Sequence, residues 1–287
     1  MSTASPEQRP FRRVAIYGVG LLGGSIGAAL RSRFPEIEVV GVGRSETKLH
    51  AAIDRGQLTA ATTDQREAAG TCDLLIFCTP VNEIPTGVTF IADACRPGTL
   101  ITDVGSTKSM ICEELYELTG DRVEFVGAHP IAGSDKTGAE HARADLFEGR
   151  MCVVTPRPNN SRAAVNRVVA FWQSLGLKVT LMSPAEHDAA LSVTSHLPHL
   201  VAAALAQQLA PSLVPFAATG FRDTTRIAAG SPELWTAIFQ SNKASVLDAL
   251  TRFQSTIELY RAAIDRSDER QLARLLTEAR YCRQLLD

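Results

Sequence analysis

The chain has 287 residues, 45% of them hydrophobic, and its 29 Lys and Arg nearly balance its 31 Asp and Glu, for a formal net charge of −2. This length suits one large or two modest domains, and the apolar content is sufficient for a continuous core, which excludes disorder for most of the chain. Proteins that bind nucleic acid normally present a basic surface, so the balanced charge argues against that class of partner.

Residues 12–182 alternate short β-branched runs with longer amphipathic stretches, a pattern typical of a parallel sheet with crossover helices. The predicted helices include 26–33, 84–95 and 162–175. The predicted strands lie at 13–17, 38–42, 73–78, 99–102, 124–126, 152–155 and 178–181. We therefore expect an α/β domain over 12–182, preceded by a disordered polar tail at 1–11.

Past residue 182 the strand-like runs stop, and Pro184 opens a region rich in Ala and Leu with helical periodicity. This change in composition places a domain boundary near 182 and predicts an all-helical second domain over 183–287. An apolar stripe within it recurs at three- and four-residue steps, at Leu247, Leu250, Phe253, Ile257, Tyr260 and Ile264. Such a stripe packs either in a core or against a partner subunit.

Neither a secretory leader nor a membrane span is expected. Residues 1–10 are polar, and the densest apolar window, 197–210, is interrupted by proline, histidine and two glutamines, which favours a buried helix. The six cysteines, at 72, 78, 95, 112, 152 and 282, show no spacing typical of a zinc site or a disulfide framework. We expect reduced thiols in a cytoplasmic protein that has no membrane or nucleic-acid partner.

The first predicted strand runs into Gly18-Val19-Gly20-Leu21-Leu22-Gly23, a G-x-G-x-x-G turn that opens a helix. In such a turn the glycines permit a tight bend, close approach of the backbone to a pyrophosphate, and close packing of helix on strand. The phosphates then lie at the helix N-terminus, which favours anions. Because strand, helix and second strand follow in order, we expect a Rossmann-type doubly wound sheet that binds a dinucleotide.

An overlapping stretch, Gly23-Gly24-Ser25-Ile26-Gly27, formally matches the G-x-S-x-G turn of hydrolases. That turn holds its serine directly after a strand. Ser25 instead falls inside the first turns of the predicted helix, which argues against a hydrolase.

The end of the second predicted strand indicates the cofactor. An acidic residue there usually bonds the ribose 2′-hydroxyl of NAD, whereas a nearby arginine can accommodate the 2′-phosphate of NADP. Here Gly43 stands at the acidic position and is followed by Arg44 and Ser45. This favours NADP over NAD, while an Arg44 that is only a solvated surface charge would leave the choice open.

Three loops follow predicted strands, at the edge of the sheet where α/β proteins bind ligands. The loop Cys78-Thr79-Pro80 is expected to line the cofactor pocket. A second loop presents Ser106, and with it Lys108, at the start of a helix. His129 lies where another strand ends, and it is either an acid/base group or a structural histidine.

Taken together, the motifs closely resemble the prephenate/arogenate dehydrogenase family of tyrosine biosynthesis, over residues 12–285. The blocks that carry the resemblance are Gly18-Val19-Gly20-Leu21-Leu22-Gly23-Gly24-Ser25, Asp103-Val104-Gly105-Ser106-Thr107-Lys108, His129-Pro130-Ile131-Ala132-Gly133, Ser195-His196-Leu197-Pro198-His199 and Gly220-Phe221-Arg222-Asp223-Thr224-Thr225-Arg226-Ile227-Ala228. The resemblance implies oxidative decarboxylation of prephenate to 4-hydroxyphenylpyruvate with hydride transfer to NAD(P)+, or of arogenate to tyrosine. It also implies a homodimer whose helical domain completes the substrate cleft.

The resemblance further implies roles for single residues. His129 matches the catalytic histidine that accepts a hydrogen bond from the substrate hydroxyl, and Ser106 matches a serine that orients this histidine. Arg226 matches an arginine that clamps a substrate carboxylate, a task suited to the guanidinium fork. From the residues alone, a structural ion pair of Arg226 with Asp223 or Asp188 stays open.

Ser195 and His199 match positions in the substrate pocket. Trp235 matches a tryptophan that approaches the pocket of the other subunit, with a core aromatic as the alternative. His196 and His199 lie one helical turn apart, but no cysteine or carboxylate set completes a metal site with them, so we expect no metal. Asp135 stands where some relatives have glutamate, whose side chain is longer.

Two other classes remain open. A β-hydroxyacid or imine reductase of the same two-domain plan would carry a catalytic lysine or aspartate on the first long helix of the second domain, where His187-Asp188 stand. A non-catalytic NAD(P)-sensing protein would bind the cofactor and oxidise nothing. Prephenate and arogenate differ only in a keto or an amino group, and the sequence does not separate them.

Overall fold

The computed structural model describes residues 11–118, 123–133 and 136–286. The expected tail, apart from Phe11, and the departure at Asp135 therefore lie outside the described residues. Phe11 corrects the predicted boundary, because it is 3% exposed and packs edge-on against Phe171 with ring centroids 6.0 Å apart. Burial of this large apolar side chain is more favourable than its exposure to water in a disordered tail.

A six-stranded parallel sheet forms the centre of the first domain, in the order β3-β2-β1-β4-β5-β6. Its strands are β1 (Arg13–Tyr17), β2 (Glu38–Val42), β3 (Ala60–Thr62), β4 (Leu74–Phe77), β5 (Thr99–Asp103) and β6 (Val123–Phe125). Val14 of β1 lies between Val39 of β2 and Leu74 of β4. The strand order reverses at β1, so the switch point where doubly wound sheets bind ligands lies between β1 and β4. The short β3 is a strand that the sequence pattern did not predict.

Helices cover both faces of this sheet. They are α1 (Leu21–Arg33), α2 (Glu46–Asp54), α3 (Gln65–Ala69), α4 (Ile84–Ile91), α5 (Ser109–Glu114) and α6 (Arg162–Ser174). The alternation of side chains along β1 divides the core, with Val14 and Ile16 in one cluster and Ala15 and Tyr17 in the other. The first cluster includes residues of α1 and α6, and the second includes residues of α3, α4 and α5.

A second sheet corrects the expectation that all strands belong to one parallel sheet. It has three strands in the order β7-β8-β9, which are β7 (Gly127–Ile131), β8 (Met151–Thr155) and β9 (Lys178–Leu181). β7 is antiparallel to β8, and β8 is parallel to β9. β7 was not predicted because it contains Pro130, which cannot donate to a ladder; the strand tolerates it because it lies at an edge. His129 is therefore inside a strand, opposite Val153, and not in a loop.

Helices make up the chain after Leu181. They are α7 (Pro184–Leu191), α8 (Leu197–Ala206), α9 (Thr219–Thr225), α10 (Pro232–Ser241), α11 (Lys243–Asp265) and α12 (Glu269–Gln284). A π-helical turn, Ser192–His196, joins α7 to α8. π-Turns inside α-helices occur frequently at functional sites, and this one contains the predicted residue Ser195.

The continuous helical segment Pro184–Ala206 is long and apolar enough to cross a membrane by length and composition alone. It buries the polar side chains of His187, Asp188 and His196, which hydrogen-bond to other parts of the chain. These contacts pack one side of the segment against the rest of the chain, while 28% of its apolar window is buried.

The apolar stripe of α11 faces away from the chain's own core. Leu247, Ile257 and Ile264 are 52%, 46% and 64% exposed, whereas Val246 and Ala249 are buried. These three residues are thus not core residues within this chain, whereas Leu250, Phe253 and Tyr260 of the stripe are half-buried.

Candidate active site

A cavity of about 850 Å³ opens at the carboxyl ends of β1, β2 and β4. It is lined by three groups of predicted cofactor residues, namely Gly18, Val19 and Gly20; Arg44 and Ser45; and Cys78, Thr79 and Pro80. The other predicted residues of the glycine turn, Leu21, Leu22 and Gly23, form the first turn of α1.

The glycines of the turn have distinct geometries. Gly18 has φ +95°, and a Cβ there would lie 2.9 Å from the carbonyl oxygen of Cys78. A Cβ at Gly23 would lie 2.2 Å from the carbonyl oxygen of Gly18, so α1 packs on the turn only because this residue is glycine. Gly20, by contrast, would meet nothing within 4 Å, so its backbone borders open space in the cavity.

These features suit a dinucleotide. Gly20 is the N-cap of α1 and has no side chain to satisfy the first amides of the helix, which therefore remain available to a phosphate. The hydroxyl of Thr79 is buried and has no hydrogen-bond partner among the described residues. Ser25, the candidate hydrolase serine, is fully buried inside α1 and accepts a hydrogen bond from the Arg143 amide at 3.0 Å. The packing of Ser25 excludes a role as an exposed nucleophile.

The far end of the cavity is cationic. Arg44 and Ser45 follow β2, and Lys48, in the first turn of α2, lines the same cavity. Arg44 and Lys48 are exposed, and within the described part of the chain neither forms an ion pair. Glu83 is the acidic residue among those that line the cavity.

A chain of hydrogen bonds joins His129 on β7 to α7. Nδ1 of His129 lies 2.9 Å from Nε2 of His187, and Nδ1 of His187 lies 2.8 Å from Oδ1 of Asp188. Asp188 also accepts hydrogen bonds from the backbone amides of Lys108, at 2.8 Å, and Ser109, at 2.9 Å. The first domain is thereby connected to the helical domain through the candidate catalytic histidine.

A buried ion pair lies next to these hydrogen-bonded residues. Lys108 and Asp103 are both fully buried and in direct contact, and Nζ of Lys108 also donates to the Ala128 carbonyl at 3.0 Å. Asp103 accepts from the amides of Ala128, at 3.0 Å, and Gly105, at 2.8 Å. The pair therefore holds both polar backbone groups of Ala128, the neighbour of His129.

His129, His196 and His199 are kept uncharged. Burial, and after it the electrostatic influence of His187, Lys108 and His196, holds the pKa of His129 well below its usual value. Burial also lowers the pKa of His196 to about 4 and lowers that of His199. A neutral imidazole has one nitrogen that can accept a proton, which a general base requires.

The helical domain contributes a second cluster. The rings of His199 and Trp235 are stacked, with centroids 3.5 Å apart, and a Cβ at Gly230 would lie 2.6 Å from Nε1 of Trp235 and 3.1 Å from Cε1 of His199. Nδ1 of His196 lies 3.2 Å from Nδ2 of Asn242. Nε2 of His196 and Nδ1 of His199 are buried without a hydrogen-bond partner among the described residues. These unpaired nitrogens are suited to a polar ligand.

Comparison with known proteins identifies relatives over most of the chain. The prephenate dehydrogenase nucleotide-binding domain matches residues 26–181, and the prephenate dehydrogenase dimerization domain matches residues 183–278. The chain belongs to the prephenate dehydrogenase family.

Prephenate dehydrogenase of Bacillus subtilis (strain 168) is 33% identical over 274 residues, which cover 93% of this chain and 74% of that protein. The crystal structure of prephenate dehydrogenase from A. aeolicus in complex with hydroxyphenyl propionate and NAD+ has a TM-score of 0.91 at 31% identity, over 96% of this chain and 98% of that one. Synechocystis arogenate dehydrogenase has a TM-score of 0.82 at 29% identity, over 96% and 100% of the two chains. The predicted family, fold class and class of enzyme, an NAD(P)-dependent dehydrogenase, are thus confirmed.

In this member of the prephenate dehydrogenase family, some predicted site residues lie apart from their expected neighbours. Ser106 is half-buried, and the described residue that hydrogen-bonds the His129 ring is His187, not Ser106. Arg226 is exposed and forms no ion pair within the described chain, with Asp188 or with Asp223. The loop after β5 carries Ser106, and Lys108 anchors it through its contacts with Asp103, Ala128 and Asp188.

Arg226 and Ser195 both belong to segments that adjoin α8. Arg226 begins the short turn Arg226–Ala229, which packs against α8, and Ser195 lies half-buried in the π-turn that leads into α8. Trp235 stacks on His199 of its own chain, so both predicted residues share one surface with the turn that ends at Gly230.

Sequence reasoning assigned no role to His187 in the site of this dehydrogenase, and it connected Asp188 to Arg226 instead of to the histidines. The available signal was the adjacent pair His187-Asp188, which follows Glu186 and precedes the apolar end of the helix. Both side chains are almost completely buried, at 0% and 2% exposure. A buried polar side chain must find a partner, so the pair predicts hydrogen bonds across to another element.

Proposed function

We propose that the protein catalyses the oxidative decarboxylation of prephenate to 4-hydroxyphenylpyruvate with transfer of a hydride to a nicotinamide cofactor. The observation that carries the proposal is the uncharged His129 ring, held by His187 at the junction of a dinucleotide-binding domain and a helical domain. Family membership supplies the substrate class.

The reaction needs a proton acceptor as well as a hydride acceptor. The substrate carries a hydroxyl and a carboxylate on opposite carbons of a cyclohexadiene ring. When bound, the nicotinamide takes the hydride from the hydroxyl-bearing carbon. Carbon dioxide leaves the far carbon, and the electrons of the broken bond make the ring aromatic. His129 accepts the hydroxyl proton as the hydride departs and returns it to the ring oxygen of the product, so the proton balance closes.

The substrate carboxylates need cationic or polar partners. We assign one carboxylate to Arg226, which is exposed and without an ion pair in the described chain, and whose planar guanidinium suits bidentate binding. We assign Ser195 and His199, with Trp235 stacked on the latter ring, to the wall of the substrate pocket. Ser106, on the loop after β5, is assigned to the region between the nicotinamide and the substrate hydroxyl.

Arogenate is the second candidate substrate, and the likeness to Synechocystis arogenate dehydrogenase favours it. It differs from prephenate by an amino group in place of a keto group. The deciding experiment is a steady-state assay that offers prephenate and arogenate, each with NAD+ and NADP+, and follows the absorbance of the reduced nicotinamide. Oxidation of prephenate supports the proposal, and oxidation of arogenate alone supports the alternative. Cofactor binding without oxidation of either substrate would contradict both and favour a cofactor-sensing protein.

NADP is the cofactor that the cavity favours. Arg44 and Lys48 line it beyond β2, where an acidic residue would otherwise bond the 2′-hydroxyl of NAD. The same assay tests this preference through the Michaelis constants of the two cofactors.

A cytoplasmic homodimer is the proposed assembly. The exposed residues of the α11 stripe are apolar, and the helical domain matches a family named for dimerization. Burial of such a stripe against a second copy is its ordinary fate. Sedimentation equilibrium tests the proposal, and a monomer at micromolar concentration would contradict it.

A further inference from the structure

Asp188 lies at one end of the hydrogen-bonded chain between β7 and α7, and its charge determines which group donates at each step. Asp188 is 2% exposed and accepts from the amides of Lys108 and Ser109, two donors that cannot reverse. Burial opposes its charge, but these bonds and the one from His187 outweigh burial and lower the pKa of Asp188. Asp188 is therefore an ionised carboxylate, and a carboxylate only accepts hydrogen bonds.

The carboxylate sets the tautomer of His187. Oδ1 of Asp188 lies 2.8 Å from Nδ1 of His187, so that nitrogen must carry a hydrogen. In an uncharged His187 the other nitrogen, Nε2, then carries a lone pair. That lone pair lies 2.9 Å from Nδ1 of His129, so Nδ1 of His129 must donate to it.

We propose that Asp188 and His187 are positioning residues that fix His129 as the Nδ1–H tautomer, so that its Nε2 is the nitrogen that accepts the proton of the substrate hydroxyl. The inference rests on the proposed function for the identity of the proton donor. The tautomer itself is a property of this chain alone, because every partner in the hydrogen-bonded chain is a protein group.

The same chain stabilises the charge that forms during the reaction. When Nε2 of His129 takes the proton, the ring becomes an imidazolium whose Nδ1–H already points at His187. Asp188, two bonds further on, compensates this charge without taking a proton itself, as a carboxylate behind a catalytic histidine does elsewhere. Lys108 does not supply this compensation, since it is a cation paired with Asp103.

Asp188→Asn tests the role of the carboxylate charge. Oδ1 of Asp188 accepts from the Lys108 amide and faces Nδ1 of His187, whereas Oδ2 accepts from the Ser109 amide. The asparagine oxygen therefore occupies the Oδ1 position, where it keeps two of these three bonds, and His187 keeps its hydrogen on Nδ1. The substitution removes the negative charge that compensates the His129 imidazolium, so we expect kcat to fall by about tenfold or more, with the substrate KM changed by less than about threefold.

Two comparisons of kcat distinguish a positioning role of Asp188 and His187 from a purely structural one. Glu186→Gln on the same helix removes a carboxylate that caps α7 at Ser183 but has no bond to the histidines, and it should retain kcat. His187→Gln retains an oxygen able to accept from His129, whereas His187→Leu has a similar size and no acceptor. We expect the glutamine variant to retain at least about tenfold more kcat than the leucine variant. Equal kcat in the two variants would overturn the proposal.

The second readout is the tautomer in the resting enzyme. Protein labelled with 15N-histidine is examined by NMR, and the His129 ring is assigned by its disappearance in His129→Asn. We expect a protonated Nδ1 and an unprotonated Nε2 on the His129 ring in the wild type and in Asp188→Asn. A wild-type His129 that is Nε2–H or an imidazolium overturns the inference, even where the variant does not fold. Wild-type protein that oxidises neither prephenate nor arogenate would refute the proposed function and leave the tautomer result standing.

Discussion

Replacing Lys108 with methionine tests how firmly the fold holds the strand of His129. The substitution keeps the length of the side chain and removes its charge, so the Asp103 carboxylate stays fully buried and loses its cation. Breaking one partner out of a buried pair costs about 3–5 kcal/mol. Two amides, of Gly105 and Ala128, still donate to Asp103, so we expect the lower end, about 3 kcal/mol.

The loss is measured by urea unfolding followed by circular dichroism, with Lys178→Met as the matched control because Lys178 is exposed on β9. At roughly 2–4 °C per kcal/mol, the midpoint of thermal unfolding should fall by about 6–12 °C. Asp103→Asn should also destabilise, and the double variant should be more stable than the sum of the two losses predicts, by about 1–3 kcal/mol. A Lys108→Met protein within about 0.5 kcal/mol of wild type, or strictly additive losses, would refute the reasoning.

The other predictions concern the site. His129→Asn should lose on the order of 10²–10⁴ in kcat with a smaller effect on substrate KM, since it removes the proton acceptor. Arg226→Ala should chiefly raise the substrate KM, by about tenfold or more, through loss of a charge-assisted contact. Arg44→Ala should raise the KM for NADP+ by about tenfold and leave that for NAD+ unchanged. The neutral His196 contributes its full stabilisation above pH 6.5, the usual histidine pKa. As the pH falls from there toward the lowered folded-state pKa of His196, about 4, the free energy of unfolding should decrease by roughly 1.4 kcal/mol per pH unit. The decrease arises because the unfolded chain binds a proton that the folded chain does not.

Each of these has a control and a contrary outcome. A His129→Asn turnover within about threefold of wild type would remove His129 as the proton acceptor. Arg222→Ala, on exposed α9, controls for Arg226, and an unchanged KM in Arg226→Ala would place that arginine outside the substrate site. Equal effects of Arg44→Ala on both cofactors would refute its role in selecting NADP. Urea unfolding that gives the same free energy at pH 5 and pH 7 would contradict the buried, neutral histidines.

Local patterns determined what the sequence could predict. The glycine turn between β1 and α1 and the strands of the central sheet follow from residues close together in the chain, so spacing and periodicity found them. β7 was not predicted because Pro130 argues against a strand, although an edge strand tolerates proline. The bond between His129 and His187 joins residues 58 positions apart, and no local pattern contains it. The family resemblance supplied His129 as a catalytic candidate, but only the packing of α7 on β7 shows which residues hold it.

The net charge of −2 excluded a basic partner surface, yet a dinucleotide and a substrate with two carboxylates are both anionic. The fold resolves this locally. The buried cation Lys108 is neutralised by Asp103, and the lowered pKa values keep His129, His196 and His199 neutral, so none of these groups contributes net positive charge. The groups that we propose for the anionic ligands are the N-terminus of α1 for the phosphates and the exposed Arg44 and Arg226 at the two ends. Because so few groups carry the attraction, each should matter individually, and added salt should weaken the exposed arginine contacts more than the contacts at the helix N-terminus, which lie close to their ligand.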